Sequence, residues 1–288
     1  MSENTAFKVQ NKDKVIGIIA GGGVLPLLTA KHFRDRGHKV VIAGHKGVTK
    51  DEIKNTADKV KLVKIGQLGK IISFFLKEGV EKALIIGGIN RASTLTKIWL
   101  DWRGAKLIWS LKSLRDDSVL RGVIRELEKE GIEVLSPATA LSEFIINEEL
   151  CTQHLSDLDI NDIKLGFEAA KTLGKLDIGQ TVVVYKGSVI AVETVEGTDS
   201  TLRRAGELIK KSGGVVVKAV KPGQDKRVDI PTVGINTLEV MKEAGLKILA
   251  LEKGEVMIVE PEKFFKRADE LNITIVICPP EGPNILHP

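Results

Sequence analysis

Residues 217–234, VKAVKPGQDKRVDIPTVG, concentrate the residue types that phosphoryl chemistry uses. Cations and carboxylates alternate there around prolines and glycines, so the stretch is too irregular for a helix interior. Phosphoryl transfer depends on positioning and charge neutralisation more than on covalent work by the protein, and carboxylates are the ligands that Mg²⁺ prefers. We therefore predict a phosphate site, with a solvated charged loop as the alternative. The charged residues are Lys218, Lys221, Asp225, Lys226, Arg227 and Asp229.

A second charged segment, AVETVEGTDSTLRRAG at 191–206, follows DIGQ at 177–180. It contains Glu193, Glu196 and Asp199, three carboxylates that repel one another unless a cation or basic residues gather them. Arg203 and Arg204 follow one helical turn later, where we expect them to reach a phosphate through paired hydrogen bonds. The alternative is an acidic loop that leads into a capped helix.

Two glycine-containing turns follow apolar runs in the first half of the chain, GIIAGGGVLP at 17–26 and GGINRAS at 87–93. Glycines let backbone amides approach an anion, and a helix N-terminus carries about half a positive charge. Pro26 suits the first helical position, where its missing N–H costs nothing. Consecutive glycines are not the GxGxxG spacing of a dinucleotide site, so a turn without a ligand is the alternative. In the second turn, Asn90 and Arg91 are candidates to meet a base or a phosphate.

The elements that must position these residues alternate in the first half. Apolar runs that suit buried parallel strands lie at 15–21, 39–44, 59–66, 82–89 and 132–137. Amphipathic segments that predict helices lie between them at 27–36, 68–78 and 118–130. This alternation predicts an open, doubly wound α/β domain, in which ligands gather at the carboxyl ends of the strands.

The second half predicts a mixed α/β domain with antiparallel pairs. Two hairpins are expected, one turning at Lys186–Gly187 and one at Lys253–Gly254. A helix through 167–173 would be capped by Asp157 or Asp159. Further strands are expected at 214–220 and 273–278, and further helices at 201–211, 237–244 and 261–272. The rhythm changes near 151–159, so we predict an N-terminal domain at 14–150 and a C-terminal catalytic domain at 157–288.

The composition narrows the ligand class. The 288 residues suit two domains, and the net charge of +5 is compatible with phosphorylated substrates or anionic lipid, with charges that only solvate the surface as the alternative. Nucleic acid is not an expected partner, because aromatics are only 4% and no basic run is interleaved with stacking residues. No run of about 20 apolar residues and no signal-peptide pattern occurs, so we expect a cytoplasmic protein. A homodimer is expected on base rates, since two-fold dimers are the commonest oligomers.

Four motifs, in this order, resemble the LpxI family of UDP-2,3-diacylglucosamine pyrophosphatases: GIIAGGGVLP, LDIGQTVVV, AVETVEGTDSTLRRAG and KAVKPGQDKRVDIPTVGINT. The resemblance covers about residues 14–277. It implies a Rossmann-like N-terminal domain, a distinct C-terminal domain and a lipid site between them. It also implies hydrolysis of the substrate to UMP and 2,3-diacylglucosamine 1-phosphate (lipid X), by water attack on the α-phosphorus with Mg²⁺ or another divalent cation such as Mn²⁺.

The resemblance makes Asp229, preceded by Arg227, the key catalytic acid. We assign Asp229 as a metal ligand or as the group that positions the attacking water, with Glu196 and Asp199 as helpers, Asp199 at the metal. A lipid-linked substrate, together with the basic balance, also predicts loose peripheral contact with the anionic inner membrane. Predicted substrate contacts are Gly22, Gly23, Val24, Gly87, Gly88, Asn90, Gln180, Gly197, Thr198, Arg203, Lys218, Lys221, Pro231 and Thr232.

Two other function classes remain open at this point. An NAD(P)-dependent oxidoreductase would use the same parallel-sheet half, but GxGxxG is missing, and His45 and Lys46 stand where an acidic residue would be expected. A non-catalytic nucleotide-binding regulator would explain the glycine-rich turn but not the Asp229 loop. Titration with NADH and a turnover assay separate these classes.

Overall fold

The computed structural model describes residues 15–88, 99–111, 116–223, 225, 227 and 230–283. The chain divides into two compact units. The first unit is Met1–Leu141 with Asp225–Asp229, and the second is Ser142–Gln224 with Ile230–Pro288. Each unit is built around its own sheet.

The first unit contains a five-stranded sheet in the order β3-β2-β1-β4-β5, in which every pair is parallel. Its strands are β1 Val15–Ala20, β2 Lys39–His45, β3 Lys59–Val63, β4 Lys82–Ile86 and β5 Glu133–Val134. Its helices are α1 Leu25–Asp35, α2 Leu68–Lys77, α3 Trp102–Ser110, α4 Asp116–Glu128 and the short α5 Pro137–Ala140. This confirms the predicted open parallel sheet.

The strands of this sheet bury both faces, which is why they appear in the sequence as continuous apolar runs. Val41 and Ala43 of β2 lie on the face that packs against Phe75 of α2 and Leu127 of α4. The predicted strand at 132–137 is wrong in extent, since β5 holds only two residues. Pro137 begins α5 instead, because proline has no N–H for a strand ladder but suits the first turn of a helix.

The second unit contains a six-stranded sheet in the order β6-β13-β11-β9-β7-β8. Its strands are β6 Leu150–Cys151, β7 Thr181–Tyr185, β8 Ser188–Val192, β9 Val215–Lys218, β11 Ile248–Glu252 and β13 Thr274–Cys278. Strands β9, β11 and β13 are mutually parallel, whereas β7 is antiparallel to β8 and β9, and β6 to β13. The predicted mixed sheet is therefore confirmed.

Four helices cover this sheet: α6 Asp157–Gly174, α7 Thr198–Leu208, α8 Ile235–Ala244 and α9 Pro261–Glu270. Phe167 of α6 packs on one face with Val217, and Leu202 of α7 packs on the other with Leu249 and Phe264. The predicted cap of α6 is wrong. Ser156, not Asp157 or Asp159, is the N-cap, and it forms a reciprocal capping box with Asp159.

The two predicted hairpins have different outcomes. The hairpin at Lys186–Gly187 is confirmed, with both residues at positive φ (49° and 74°) as a tight hairpin turn requires. The hairpin at Lys253–Gly254 is wrong. Strand β11 is buried along its whole length and pairs with β9 and β13, while β12 Met257–Ile258 pairs with β10 Thr232–Val233 in a separate two-stranded sheet. Among the residues described, no helix is both long and apolar enough to cross a membrane.

Candidate functional site

Lys218, at the end of β9, is the centre of a polar cluster in the second unit. Its side chain is only 5% exposed, and Nζ donates to Thr198 Oγ1 at 2.9 Å and to Thr181 Oγ1 at 3.2 Å. Thr181 lies opposite Lys218 in the antiparallel register of β7 and β9, and Thr198 begins α7. One ammonium group therefore ties the start of a strand to the start of a helix.

Glu193, directly after β8, supplies the counter-charge. Its Oε1 accepts from Thr198 Oγ1 at 2.8 Å, and its Oε2 accepts from the Gln180 amide at 3.4 Å. Burial alone would raise the pKa of Glu193, but the charge of Lys218 and the hydrogen bonds more than offset it, so the pKa lies below its ordinary value. Glu193 and Lys218 therefore form a charged pair at the strand edge.

Two glycines allow the backbone to reach this arrangement. Gly179 (φ 52°) packs so closely that a Cβ there would lie 2.0 Å from the carbonyl oxygen of Glu193. Gly197 (φ 82°) precedes α7 in a conformation that other residues rarely adopt. The DIGQ turn and the acidic segment, separate motifs in the sequence, are thus brought together, and the N-terminus of α7 lies beside Lys218.

Glu196 and the two arginines lie at the margin of the cluster. Arg204 Nη2 donates to Glu196 Oε1 at 2.9 Å and to the Val192 carbonyl at 3.0 Å. Thr194 also donates to Glu196, and these hydrogen bonds lower the pKa of Glu196. Arg203 instead lies 3.5 Å from Glu243 of α8. Of the two arginines, it is thus Arg204 that contacts the acidic segment.

Two more ion pairs lie at the same end of the second sheet. Lys171 Nζ donates to both carboxylate oxygens of Glu252, at 2.6 and 2.7 Å, and Glu252 Oε2 accepts from the Val220 amide at 2.9 Å. Lys221 Nζ donates to Asp177 Oδ1 at 2.7 Å. These pairs hold the chain that follows β9, which contains the predicted residue Lys221.

The loop that contains the predicted catalytic acid is described only in part. Asp229 lies outside the described residues, as do Lys226 and Asn90. Arg227 donates through Nε and Nη2 to Asp225 at 3.0 and 2.8 Å, and through Nη1 to Glu128 of α4 at 2.8 Å. The guanidinium of Arg227 holds the pKa of Asp225 below its usual range.

The other predicted residues of this loop are held mainly through the backbone. The Pro231 carbonyl accepts from the Met257 amide at 2.8 Å, which aligns β10 with β12. Thr232 Oγ1 donates to the Ile230 carbonyl at 2.9 Å. Both residues therefore stabilise the returning chain as it leads into α8.

The described residues do not by themselves compose a magnesium site. Within them, no group of three or more His, Cys, Asp or Glu side chains is placed to hold a metal ion. Asp199 is the one predicted ligand that they include, and its Oδ2 accepts from Asn236 Nδ2 at 2.9 Å. Since Asp229 lies outside the described residues, the predicted pair of metal ligands, Asp229 and Asp199, stays a prediction.

The glycine turns of the first unit pack against each other at the carboxyl ends of β1 and β4. The Gly22 amide donates to the Gly88 carbonyl at 2.8 Å. A Cβ at Gly87 (φ 91°) would lie 2.6 Å from the Gly22 carbonyl oxygen, whereas Gly23 and Gly88 have open space. Within the described part of the chain, the amides of Gly23 and Val24 find no acceptor, and they lie at the start of α1.

His45 ends β2 at the same edge of the first sheet. It is 6% exposed, and Nδ1 is buried without a hydrogen-bond partner among the described residues. Burial lowers the pKa of His45 to about 4, so the imidazole is neutral at pH 7. A neutral imidazole donates a hydrogen bond through one ring nitrogen and accepts one through the other.

Comparison with known proteins decides between the function classes left open by the sequence. Residues 15–144 match the LpxI N-terminal domain, and residues 147–276 match the LpxI C-terminal domain. The UDP-2,3-diacylglucosamine pyrophosphatase LpxI of Caulobacter vibrioides is 32% identical to this chain, in a match that covers 93% of this chain and 99% of that protein. The chain belongs to the LpxI family.

Solved structures resemble this LpxI family member less closely. An ADP complex of N5-carboxyaminoimidazole ribonucleotide synthetase is 15% identical with a TM-score of 0.26, over 68% of this chain and 44% of that one. The biotin carboxylase domain of the Hydrogenobacter thermophilus 2-oxoglutarate carboxylase is 13% identical with a TM-score of 0.28, over 69% of this chain and 42% of that one. The chain spans less than half the length of these proteins.

Sequence reasoning about this LpxI family member missed several members of the cluster. Thr181 was not selected because a threonine at a strand start carries no chemical signal of its own. Glu193 stood among three neighbouring carboxylates, and nothing in the sequence singled it out as the partner of Lys218. A carboxylate directly after β8, at the same sheet edge as the lysine that ends β9 but separated from it by β7, is the arrangement that identifies Glu193.

Proposed function

We propose that this protein hydrolyses the pyrophosphate bond of UDP-2,3-diacylglucosamine to UMP and 2,3-diacylglucosamine 1-phosphate. The observation that carries the proposal is its 32% identity, over 93% of the chain, with the C. vibrioides pyrophosphatase. Because both halves match domains of that one family in the same order, the relationship favours a hydrolase of lipid A synthesis over an oxidoreductase or a regulator. Nothing in the described geometry favours a second function.

The Lys218 cluster supports binding of a diphosphate. An ammonium group has three N–H donors, and two of them are used by Thr181 and Thr198, which leaves one for a phosphate oxygen. The N-terminus of α7 adds a partial positive charge beside it. Glu193, which accepts from Thr198, supplies an opposite charge beside the ammonium. We therefore assign Lys218 to phosphate binding, with Gln180, Gly197 and Thr198 shaping the site.

Asp229 is proposed as the catalytic acid, and this rests on its motif rather than on its placement. Arg227 is proposed to set the loop, because its guanidinium already donates to Asp225 and Glu128. Lys221, which is paired with Asp177, has the charge to neutralise a phosphate if that pair opens. Glu196 is proposed as a helper through its bond to Arg204.

A divalent cation, Mg²⁺ or Mn²⁺, is part of the proposal. Such an ion would activate water and screen phosphate charge. Since the described residues do not supply a complete ligand set, the requirement rests on the family and on Asp229 and Asp199 as proposed ligands. Removal of the metal by EDTA tests it directly.

The first unit is proposed to bind a substrate group at the carboxyl edge of its sheet, where ligands of open α/β sheets gather. The Gly22 amide is already bonded to Gly88, so the available donors are the amides of Gly23 and Val24. Gly88 has open space beside it, and His45 offers a buried nitrogen. We also propose a cytoplasmic location with peripheral contact at the inner membrane.

The decisive experiment uses UDP-2,3-diacylglucosamine labelled at the α-phosphorus, with Mg²⁺ or EDTA, on the wild type and an Asp229→Asn variant. Labelled UMP should appear with Mg²⁺, disappear with EDTA and fall by about 10³-fold or more in the variant, as expected when a catalytic acid is lost. Asp35→Asn, an exposed carboxylate on α1, is the matched control and should keep full activity. No UMP from folded wild-type protein at any metal concentration would refute the proposal.

A further inference from the structure

The tryptophans of this chain share one unusual property. The sequence contains three, Trp99, Trp102 and Trp109, all within one short segment of the first unit. Their exposed fractions are 59%, 78% and 81%, and the adjacent Leu100 is 45% exposed. Tryptophan is on average a highly buried residue, and a group of exposed large apolar side chains marks an interaction site. Neither the proposed chemistry nor the core of the first unit uses these rings.

Helix α3 displays the rings on a rigid support. Its inner face is packed, because Leu107 belongs to the core and a Cβ at Gly104 would lie 2.2 Å from the Gly66 carbonyl. Asp101 caps the helix at Gly104 N (2.9 Å) and also accepts from Lys70 N of α2 (3.2 Å). Spacings of four and seven residues therefore place Lys106 and Trp109 on the same outer face as Trp102.

Cations accompany the aromatic rings. Lys64 Nζ lies 3.5 Å from the centre of the Trp99 ring, and Lys106 is exposed between Trp102 and Trp109 along the helix. Among the described residues neither lysine forms a salt bridge, whereas the nearby Arg103 is paired with Glu130 at 2.6 Å. Asp101 uses its carboxylate in the cap. The surface is thus aromatic and positively charged.

We propose that this tryptophan surface, defined as Trp99, Leu100, Trp102, Lys106, Trp109 and Lys64, docks on an anionic phospholipid bilayer. Tryptophan places its apolar ring and polar N–H at the level of the lipid head groups, and lysines beside it attract anionic lipid. The choice of a bilayer over a protein partner rests on the proposed function, since an acylated substrate resides in a membrane. The surface and its charge do not depend on that function.

Intrinsic fluorescence tests the proposal directly, since all three tryptophans of the 288-residue chain lie on this surface. Titration with phosphatidylethanolamine–phosphatidylglycerol vesicles should shift the emission to shorter wavelength and carry the protein into the vesicle pellet. Phosphatidylcholine vesicles should do so much more weakly. Wild-type protein that stays in the supernatant with unchanged emission would overturn the proposal, whether or not the protein hydrolyses the labelled substrate.

Variants distinguish binding by the tryptophan surface from nonspecific binding by other exposed apolar side chains. Trp102→Ala/Trp109→Ala should lower vesicle affinity by about tenfold or more, and Lys106→Glu by about tenfold on anionic vesicles only. The control Leu176→Ala/Leu208→Ala removes two side chains of the second unit that are 63% and 61% exposed, and it should bind as the wild type does. Unchanged binding by both tryptophan-surface variants, or equal loss in the control, would contradict the assignment.

Two further measurements show whether a bilayer or a second copy of the chain binds the tryptophan surface. If hydrolysis is observed, the double tryptophan variant should retain it on detergent-solubilised substrate and lose it on vesicle-embedded substrate. Light scattering after size exclusion should give the same mass for variant and wild type. A dimer that becomes a monomer in the variant, with vesicle binding unchanged, would assign the surface to a second copy of the chain instead and overturn the proposal.

Discussion

The two units differ in the groups that lie at the ends of their strands. In the first unit the ends of β1 and β4 carry glycines whose backbones bond to each other, as Gly22 does to Gly88, with the buried neutral His45 nearby. In the second unit the strand ends carry charged side chains that neutralise one another, with Lys218 and Glu193 at the centre. The edge of the first sheet is backbone-built, since it consists of glycine backbone with open space beside it. The edge of the second sheet is charge-built, since it consists of paired charged side chains.

This difference indicates which kinds of substitution should destabilise each unit. At the edge of the first unit the shape of the glycine turns matters, and the buried His45 is neutral at pH 7. At a charge-built edge each ion is held by a partner of opposite sign, so removing one partner leaves the other buried without compensation. Substitutions at the glycine turns should therefore act through side-chain volume and φ, and substitutions in the Lys218 cluster should act through charge.

The largest effect is expected for Lys218→Met. Without the ammonium, the partly buried Glu193 loses its counter-charge, so the free energy of unfolding should fall by about 3–5 kcal/mol. Urea unfolding measures this. Glu193→Gln in the same chain should recover part of the loss, because it removes the uncompensated charge. Lys175→Met, at an exposed lysine after α6, is the control. Equal stability of both lysine variants would refute the charge-built description.

A pH titration compares the two units next. His45 has a pKa of about 4 in the folded state against 6.5 ordinarily, so the unfolded chain binds more protons between these values. The stability that the neutral ring allows is present above pH 6.5 and falls by about 3 kcal/mol as pH drops to about 4. Glu193, with a pKa below 4.5, acts in a lower window and loses its contribution only beneath that pH.

The measurement is the midpoint of thermal unfolding from pH 7 to pH 4 in wild type and His45→Leu. The variant should show a flatter decline across the window of His45. His154→Gln, an exposed histidine in the second unit, should follow the wild type. Parallel curves for His45→Leu and wild type would show that the buried ring does not couple folding to pH.

A smaller effect is expected for Gly87→Ala. A Cβ there would lie 2.6 Å from the Gly22 carbonyl oxygen at φ 91°, so the glycine turns must separate and stability should fall by about 1–3 kcal/mol. Gly88→Ala meets no atom within 4 Å and should change stability by less than about 0.5 kcal/mol. Urea unfolding of this neighbouring pair checks the backbone-built description, and similar losses for both would contradict it.

The smallest effect separates the adjacent arginines. Arg204→Ala removes a partner of Glu196, and Arg203→Ala removes only a weak contact to Glu243. The Arg203 pair is exposed and the Arg204 pair is partly exposed, so each change should cost less than about 1 kcal/mol in stability. Hydrolysis should fall several-fold for Arg204→Ala and stay near wild type for Arg203→Ala. A larger loss of activity for Arg203→Ala would instead support the predicted role of Arg203 as a substrate contact.

Local patterns predicted most of the elements. Helix α9 was expected at 261–272 and spans Pro261–Glu270, and the hairpin at Lys186–Gly187 was found as expected. The hairpin predicted at Lys253–Gly254 failed for a long-range reason. The run before Lys253 resembles one arm of a hairpin, but a strand buried along its length takes partners on both sides, and those partners come from distant parts of the sequence.

The site residues also divide into those that local motifs predicted and those that only the strand register identified. Lys218, Thr198 and Gln180 were selected from separate motifs, and the fold brings them to one strand edge. Thr181 and Glu193 complete the cluster but could not be selected, because their significance comes from the register between β7, β8 and β9. Asp229 was selected by its motif and lies outside the described residues, so its role stays a prediction.

The sequence by itself determined the alternation of strands and helices, the family, and the kinds of side chain that are available for phosphate chemistry. These follow from backbone periods of two and 3.6 residues and from motifs that are read along the chain. Only the tertiary structure decided that Lys218 is bonded to Thr198 and Thr181, that Arg204 rather than Arg203 reaches Glu196, and that every tryptophan is exposed. The physical reason is that hydrogen bonds and burial depend on strand register and helix packing, which join residues far apart in sequence.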